Sequence, residues 1–238
     1  MKKTIFFLVI GCFCLCSCPS PPKGGGNGSN GKSQNQSGKE KTKNLPRNPK
    51  NRHIMTGPEI FAKYNSAVFM IYTSDGLNNY QGSGFFVNAS GICVSNYHVF
   101  DGTHKGKEKI KLTNGDVYRI AEVIAYNEDE DFIVFKIDSN GKKFPSIPIS
   151  NQAPKVGEKA FAIGSPQGLE NTFSSGEISQ IRDDNWIQIS VPIDHGSSGG
   201  VLLNEYGEAI GITSAGVDGS GANLNFAKSI KVVNPHLP

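Results

Sequence analysis

The sequence predicts an all-β domain, a sandwich or a pair of barrels, and three observations carry that expectation. Beyond residue 66 the chain is a succession of short runs rich in β-branched and aromatic residues. Turn signals such as Asp75-Gly76, Asn114-Gly115, Asn140-Gly141 and Tyr206-Gly207 separate these runs. Helical periodicity is scarce throughout this region, and about a dozen strands of such length suggest a sandwich or a pair of barrels.

One helix precedes the strands. "TGPEIFAKYN" opens on Thr56, three residues ahead of Glu59 and with Pro58 in the first turn, which is the pattern of a capping box starting a short helix. The strand candidates then follow in order: "AVFMIYT", "GSGFFVN", "GICVSN", "KIKLTNG", "VYRIAEVIAYN", "DFIVFKI", "KAFAIGS", "GEISQI", "WIQISVPI", "GVLLN", "EAIGITSAG" and "NLNFAKS". From Gly57 onward there are about 180 residues, enough for one well-filled domain. No repeat of about 20–50 residues is visible.

The front of the chain has a different composition. "MKK" followed by "TIFFLVIGCFCLC" has a basic start and an apolar stretch too short to span a bilayer, as in an export signal. It resembles a bacterial lipoprotein signal, in which a small residue precedes a cysteine that is lipidated. "LCSC" would use Cys18 and "VIGC" would use Cys12; Cys18 is preferred because it gives the longer apolar stretch. An ordinary secretory signal without lipidation is the simpler alternative. Residues 1–17 are thus expected to be the signal and 18–55 a tether of Gly, Ser, Asn, Pro and Lys that lacks the apolar surface needed to fold. The domain is expected to occupy residues 56–238, with an anchored location in a bacterial cell envelope.

The net charge of +3 is modest, and Lys and Arg concentrate in the tether rather than among aromatics, which argues against nucleic acid as a partner. Cys93, the fifth cysteine, sits in an apolar strand without a downstream partner and reads as a buried thiol. No cluster of His, Cys or acidic residues has ligand spacing, so neither a metal nor another cofactor is expected.

Three residues have a context that suits acyl transfer. Serine is a weak nucleophile, so it needs a histidine to take its proton and an acid to hold that histidine. His98 ends the apolar run in "CVSNYHVF"; Asp131 lies in "NEDEDFIVFKI" and abuts its strand more directly than Asp129; Ser198 lies in "HGSSGG" between two strand candidates. Each alone has an ordinary explanation, as a packed histidine, a solvated turn or a flexible loop. A tight turn of small residues can aim successive N–H groups at one point, as an oxyanion hole requires.

Together these motifs resemble the trypsin-like serine peptidases of the chymotrypsin fold, in particular the bacterial branch that includes the HtrA-type proteases. The family's "GSGF…TNxHV", "DLAVLKI", "IGxPxGxxxTxxxGxIS", "GNSGGP" and "xFAIP" patterns are met by "GSGFFVNASGICVSNYHV", "DFIVFKI", "IGSPQGLENTFSSGEIS", "GSSGGV" and "NLNFAKS". The resemblance implies two six-stranded antiparallel β-barrels with the active site in the cleft between them. It implies a His98 base, an Asp131 acid, a Ser198 nucleophile, and an oxyanion hole from the N–H groups of Gly196 and Ser198. Pro192 would lie at the floor of the specificity pocket, with Thr213, Ser214, Ala215, Leu224, Asn225 and Phe226 as walls. A floor without an acid implies cleavage after small to medium aliphatic residues rather than after Arg or Lys.

The sequence departs from the family at Val201, where proline is usual, at Ser197, which cannot form the ion pair of zymogen-type members, and at His195, read as a loop residue. His53, His104 and His236 have no motif around them. About 40 residues follow Ser198, too few for the PDZ domains of larger relatives, which bind peptide ends by strand addition. The expected function is an exported, envelope-tethered serine endopeptidase acting on polypeptides, unfolded ones among them. The rivals are a catalytically silent binding protein and an esterase; the latter is disfavoured because an elbow serine of that class precedes a helix. Oligomeric state is left open.

Overall fold

The computed structural model describes residues 52–165, 171–214 and 224–238. Helix α1 spans Gly57–Tyr64. Its start is held by the Glu59 carboxylate, which accepts from the Thr56 N–H at 2.7 Å and from the Thr56 hydroxyl at 2.8 Å. These bonds hold the Glu59 carboxyl below its ordinary range.

Twelve strands follow: β1 (Val68–Ser74), β2 (Asn79–Phe86), β3 (Ile92–Ser95), β4 (Lys109–Lys111), β5 (Val117–Asn127), β6 (Phe132–Ile137), β7 (Lys159–Gly164), β8 (Thr172–Ile181), β9 (Trp186–Ile189), β10 (Val201–Asn204), β11 (Ala209–Ser214) and β12 (Asn225–Ser229). They close into two antiparallel barrels in the orders β1-β2-β3-β6-β5-β4 and β10-β11-β12-β9-β8-β7. Each expected strand is present, although β2 and β8 begin earlier and β9 ends sooner than the runs suggest.

Continuous apolar runs in antiparallel strands need two buried faces, and the packing supplies them. In β6, Ile133 and Phe135 point into the first barrel with Phe69, Phe86 and Cys93, while Phe132 and Val134 pack between the barrels. In β7, Ala160 and Ala162 fill the second barrel with Ile187, Leu202 and Ala227, while Phe161 and Ile163 turn to the shared layer. That layer also takes Val68, Phe85 and Val94 from one barrel and Val201, Leu203 and Ile212 from the other, with Ile60 and Tyr64 of α1. The period of two thus directs alternate side chains to different cores.

Within the stretch expected as tether, residues 52–55 are described and pack on the second barrel. Arg52 pairs with Glu208 and lies 4.8 Å from the Tyr206 ring centre, and the Met55 N–H donates to Glu205 O at 2.8 Å. Cys12, Cys18 and the remainder of the signal and tether lie outside the described residues.

Candidate active site

The hairpin between β5 and β6 carries Asp131 on a left-handed backbone with φ 46°, a conformation aspartate tolerates better than most side chains. Its carboxylate accepts from the His98 backbone N–H at 3.0 Å, and the His98 ring Nδ1 lies 3.1 and 2.9 Å from its two oxygens. Nδ1–H is therefore the donor, which leaves Nε2 as the basic nitrogen. The imidazole is about half exposed and the carboxylate 16% exposed, so one end of the pair is sheltered and the other open to substrate. Beside them Tyr97 stacks on Tyr126 with ring centres 5.3 Å apart and donates to Glu128 at 2.8 Å, a bond that pushes its hydroxyl pKa up to about 12.

Ser198 belongs to the second barrel, in the turn before β10. Its carbonyl accepts from the Ser83 N–H of β2 at 2.8 Å. Gly199 N–H donates to Asn96 Oδ1 at 2.7 Å and to Thr213 O at 2.8 Å. Asn96, wholly buried and two residues before His98, also donates through Nδ2 to Asp131 O at 2.9 Å. The segment that carries His98, the Asp131 backbone and the turn that carries Ser198 are thus tied to one asparagine. Among the described residues the Ser198 hydroxyl makes no hydrogen bond to His98; such bonds commonly tighten only with substrate in place.

The chain from Asp194 to Ser197 forms a turn closed by Ser197 N–H to Asp194 O at 3.0 Å. Gly196 has φ +92° and His195 is not among the residues with positive φ, which identifies a type II turn. A type I turn would reverse the central peptide and carry the Gly196 N–H with it. The N–H groups of Ser197, Gly199 and Gly200 are bonded to carbonyls, whereas those of Gly196 and Ser198 donate to no group among the described residues. Ser83 Oγ secures the turn from the first barrel by donating to Gly196 O at 2.7 Å and accepting from Ser165 N–H at 2.9 Å. Gly199, at φ +87°, lies so close to the Ser83 carbonyl and Ser95 hydroxyl that no Cβ fits there.

Of the expected pocket residues, Thr213 is buried and donates its hydroxyl to Ser197 O at 2.7 Å, so it braces the nucleophile turn. Ser214 and Asn225 are buried, Phe226 and Leu224 half-buried and Pro192 exposed; Ala215 lies outside the described residues. His195 is exposed, with its N–H on Asp194 Oδ1 at 2.8 Å. Sequence reading overlooks Ser83 and Asn96 as supports. Their signal was polarity inside apolar strand runs, "GSGFF" and "CVSN", where a buried polar side chain must find partners. No group of three or more His, Cys, Asp or Glu able to hold a metal occurs among the described residues.

Two closed six-stranded barrels, with a histidine–carboxylate pair on the first and a glycine-bounded serine turn on the second, define the chymotrypsin-like architecture. The chain belongs to the trypsin-like peptidase domain family, which it matches over residues 82–212. It is 36% identical over 164 residues to the chloroplastic Protease Do-like 1 of Arabidopsis thaliana, covering 63% of this chain and 36% of that protein. It is 38% identical over 158 residues to a probable periplasmic serine endoprotease DegP-like of Chlamydia pneumoniae, covering 63% and 32%. The chain therefore spans about a third of the length of these relatives. Among solved structures, the serine endoprotease from Yersinia pestis aligns with a TM-score of 0.68 at 26% identity, over 76% of this chain and 65% of that one.

Proposed function

We propose that this protein is a serine endopeptidase in which His98, Asp131 and Ser198 form the triad. His98 Nε2 takes the Ser198 proton as Oγ attacks the scissile carbonyl, and Asp131 stabilises the imidazolium. The N–H groups of Gly196 and Ser198 receive the oxyanion, and His98 then passes its proton to the leaving amine. Water repeats the sequence to release the acyl group. The observation that carries this reading is the Nδ1 contact of 2.9 Å to Asp131, on the same asparagine that anchors the nucleophile turn.

The substrates are polypeptides, as the serine endoprotease relatives suggest, and the reading includes unfolded chains among them. Small to medium aliphatic side chains suit a floor position that carries no acid; Pro192, which the resemblance puts there, is exposed. The strand that follows Ser198 favours peptidase over esterase, since β10 and not a helix leaves the turn. The reading includes export and a lipid anchor on Cys18, with Cys12 as the alternative site. The periplasmic naming of the Chlamydia relative is consistent with export.

The test is labelling by a fluorophosphonate, followed by digestion of an unfolded protein. Ser198→Ala should abolish both, by about 10⁶ in kcat, while Ser197→Ala only modulates them. Wild type that fails to label at Ser198 refutes the triad. Labelling with cleavage of esters alone refutes the peptidase assignment. Mass spectrometry of the mature N-terminus tests the anchor: a diacylated Cys18 or Cys12 supports it, and an unmodified terminus refutes it.

A further inference from the structure

A buried charge is paired with the residue next to the proposed catalytic acid. Lys228 of β12 has a side chain only 1% exposed, in the strand position that the family pattern fills with isoleucine. Its Nζ lies 2.9 Å from Glu130 Oε2, donates to Asp184 O at 2.7 Å, and sits 4.6 Å from the Trp186 ring centre. Glu130 Oε2 is itself buried and meets the lysine as an ion pair rather than an aligned hydrogen bond. The other carboxylate oxygen accepts from Asn185 Nδ2 at 3.1 Å. Asp184 and Asn185 form the tight β8–β9 turn, with φ 54° and 61°, and the Asn185 carbonyl accepts from Ser229 N–H at 2.8 Å, next to Lys228. The second barrel therefore holds Glu130 through a turn and a strand, although Glu130 belongs to the first.

Adhesion between the barrels does not require this arrangement. An apolar residue at position 228 would pack as well, because taking two charges out of water offsets most of their attraction. What the pair supplies is direction: an ammonium reaching a carboxylate fixes where Glu130 sits. Asp131 follows immediately, in a left-handed conformation, so the placement of Glu130 sets where its backbone begins. Asn96 holds the Asp131 carbonyl from one side, and Glu130 is held from the other.

We infer that Lys228 is a positioning residue for the active site: through Glu130 it fixes the Glu128–Asp131 loop so that the Asp131 carboxylate meets His98 Nδ1. The inference rests on the triad assigned above. Lys228→Met keeps the length and apolar stem of the side chain and removes the cation, while K228R keeps the cation. In the full-length protein K228M should lower kcat and the rate of Ser198 labelling by about 10–100-fold, the scale of a small misplacement of a catalytic group, with KM unchanged. The strongly deshielded proton resonance of His98 Nδ1–H bonded to Asp131 should broaden or vanish, and K228R should restore it together with most of kcat.

Wild-type kcat and an unaltered resonance in K228M would overturn the inference, as would a fall in melting temperature with kcat intact. Should K228M fail to fold, the double variant K228M/E130Q, which leaves no buried charge unpaired, carries the same two readings. Should the wild-type protein prove inert towards the fluorophosphonate, the triad reading fails separately, and the resonance still decides whether Lys228 positions Asp131.

Discussion

Gly199 N–H donates to Asn96 Oδ1 at 2.7 Å across the junction of the barrels, joining the residue after the proposed nucleophile to the strand end that carries His98. The same side chain holds the Asp131 carbonyl, so removing it affects every member of the site. Asn96→Ala should destabilise the protein by about 1–3 kcal/mol, since it leaves the Asp131 carbonyl without its partner while Gly199 N–H keeps Thr213 O. Denaturant unfolding measures that loss, and the rate of Ser198 labelling should fall with it.

Two glycines of the turn that carries the proposed nucleophile should respond differently to alanine. At Gly196 the type II turn requires positive φ, so Gly196→Ala should favour the reversed peptide and remove an oxyanion donor, lowering kcat by about 10²–10³-fold with the fold intact. At Gly199 the obstacle is the backbone of β2, so Gly199→Ala should disturb the seating of the barrels and lower the melting temperature as well as activity. Paired melting curves and peptide hydrolysis separate the two.

The loop between β1 and β2 should be acid-sensitive. Asp75 accepts from the N–H groups of Asn78 and Leu77, the Tyr80 hydroxyl and Asn78 Nδ2, and the Asn78 N–H above all holds its carboxyl well below the usual carboxylate range. A depressed folded pKa gives stability that is complete above the unfolded value of about 3.9 and is lost as pH falls through the folded one. Structural perturbation at Leu77 and Asn78, followed by amide chemical shifts, should therefore appear only well below pH 4, and Asp75→Asn should remove that pH dependence.

Burial pushes the Cys93 thiol up, which keeps it protonated and out of contact with reagents. Peptide mapping after iodoacetamide treatment should find Cys93 unmodified in the native protein and alkylated in denaturant. Modification at the same rate in both would mean that the first barrel opens readily.

The local pattern of the chain carries much of this architecture. The capping box from Thr56 to Glu59, the dozen strands and the turns between them follow from short-range sequence, because cap chemistry, the period of two and glycine turns act over a few residues. His98, Asp131 and Ser198 stood out by context in the same way. Ser83 and Asn96 did not, because the partners of their side chains lie 35 to 113 residues away and no local signal names them.

Local residue patterns are enough to say which segments are strands, to point to barrels through the resemblance of their motifs, and to single out three candidates for acyl transfer. Which core receives each apolar face, the left-handed backbone of Asp131 against His98 and the burial of Lys228 on Glu130 emerge with the folded barrels. Strand periodicity records that a face is buried but not against what. A polar or charged side chain shows its role only when barrel closure brings its distant partner within bonding distance.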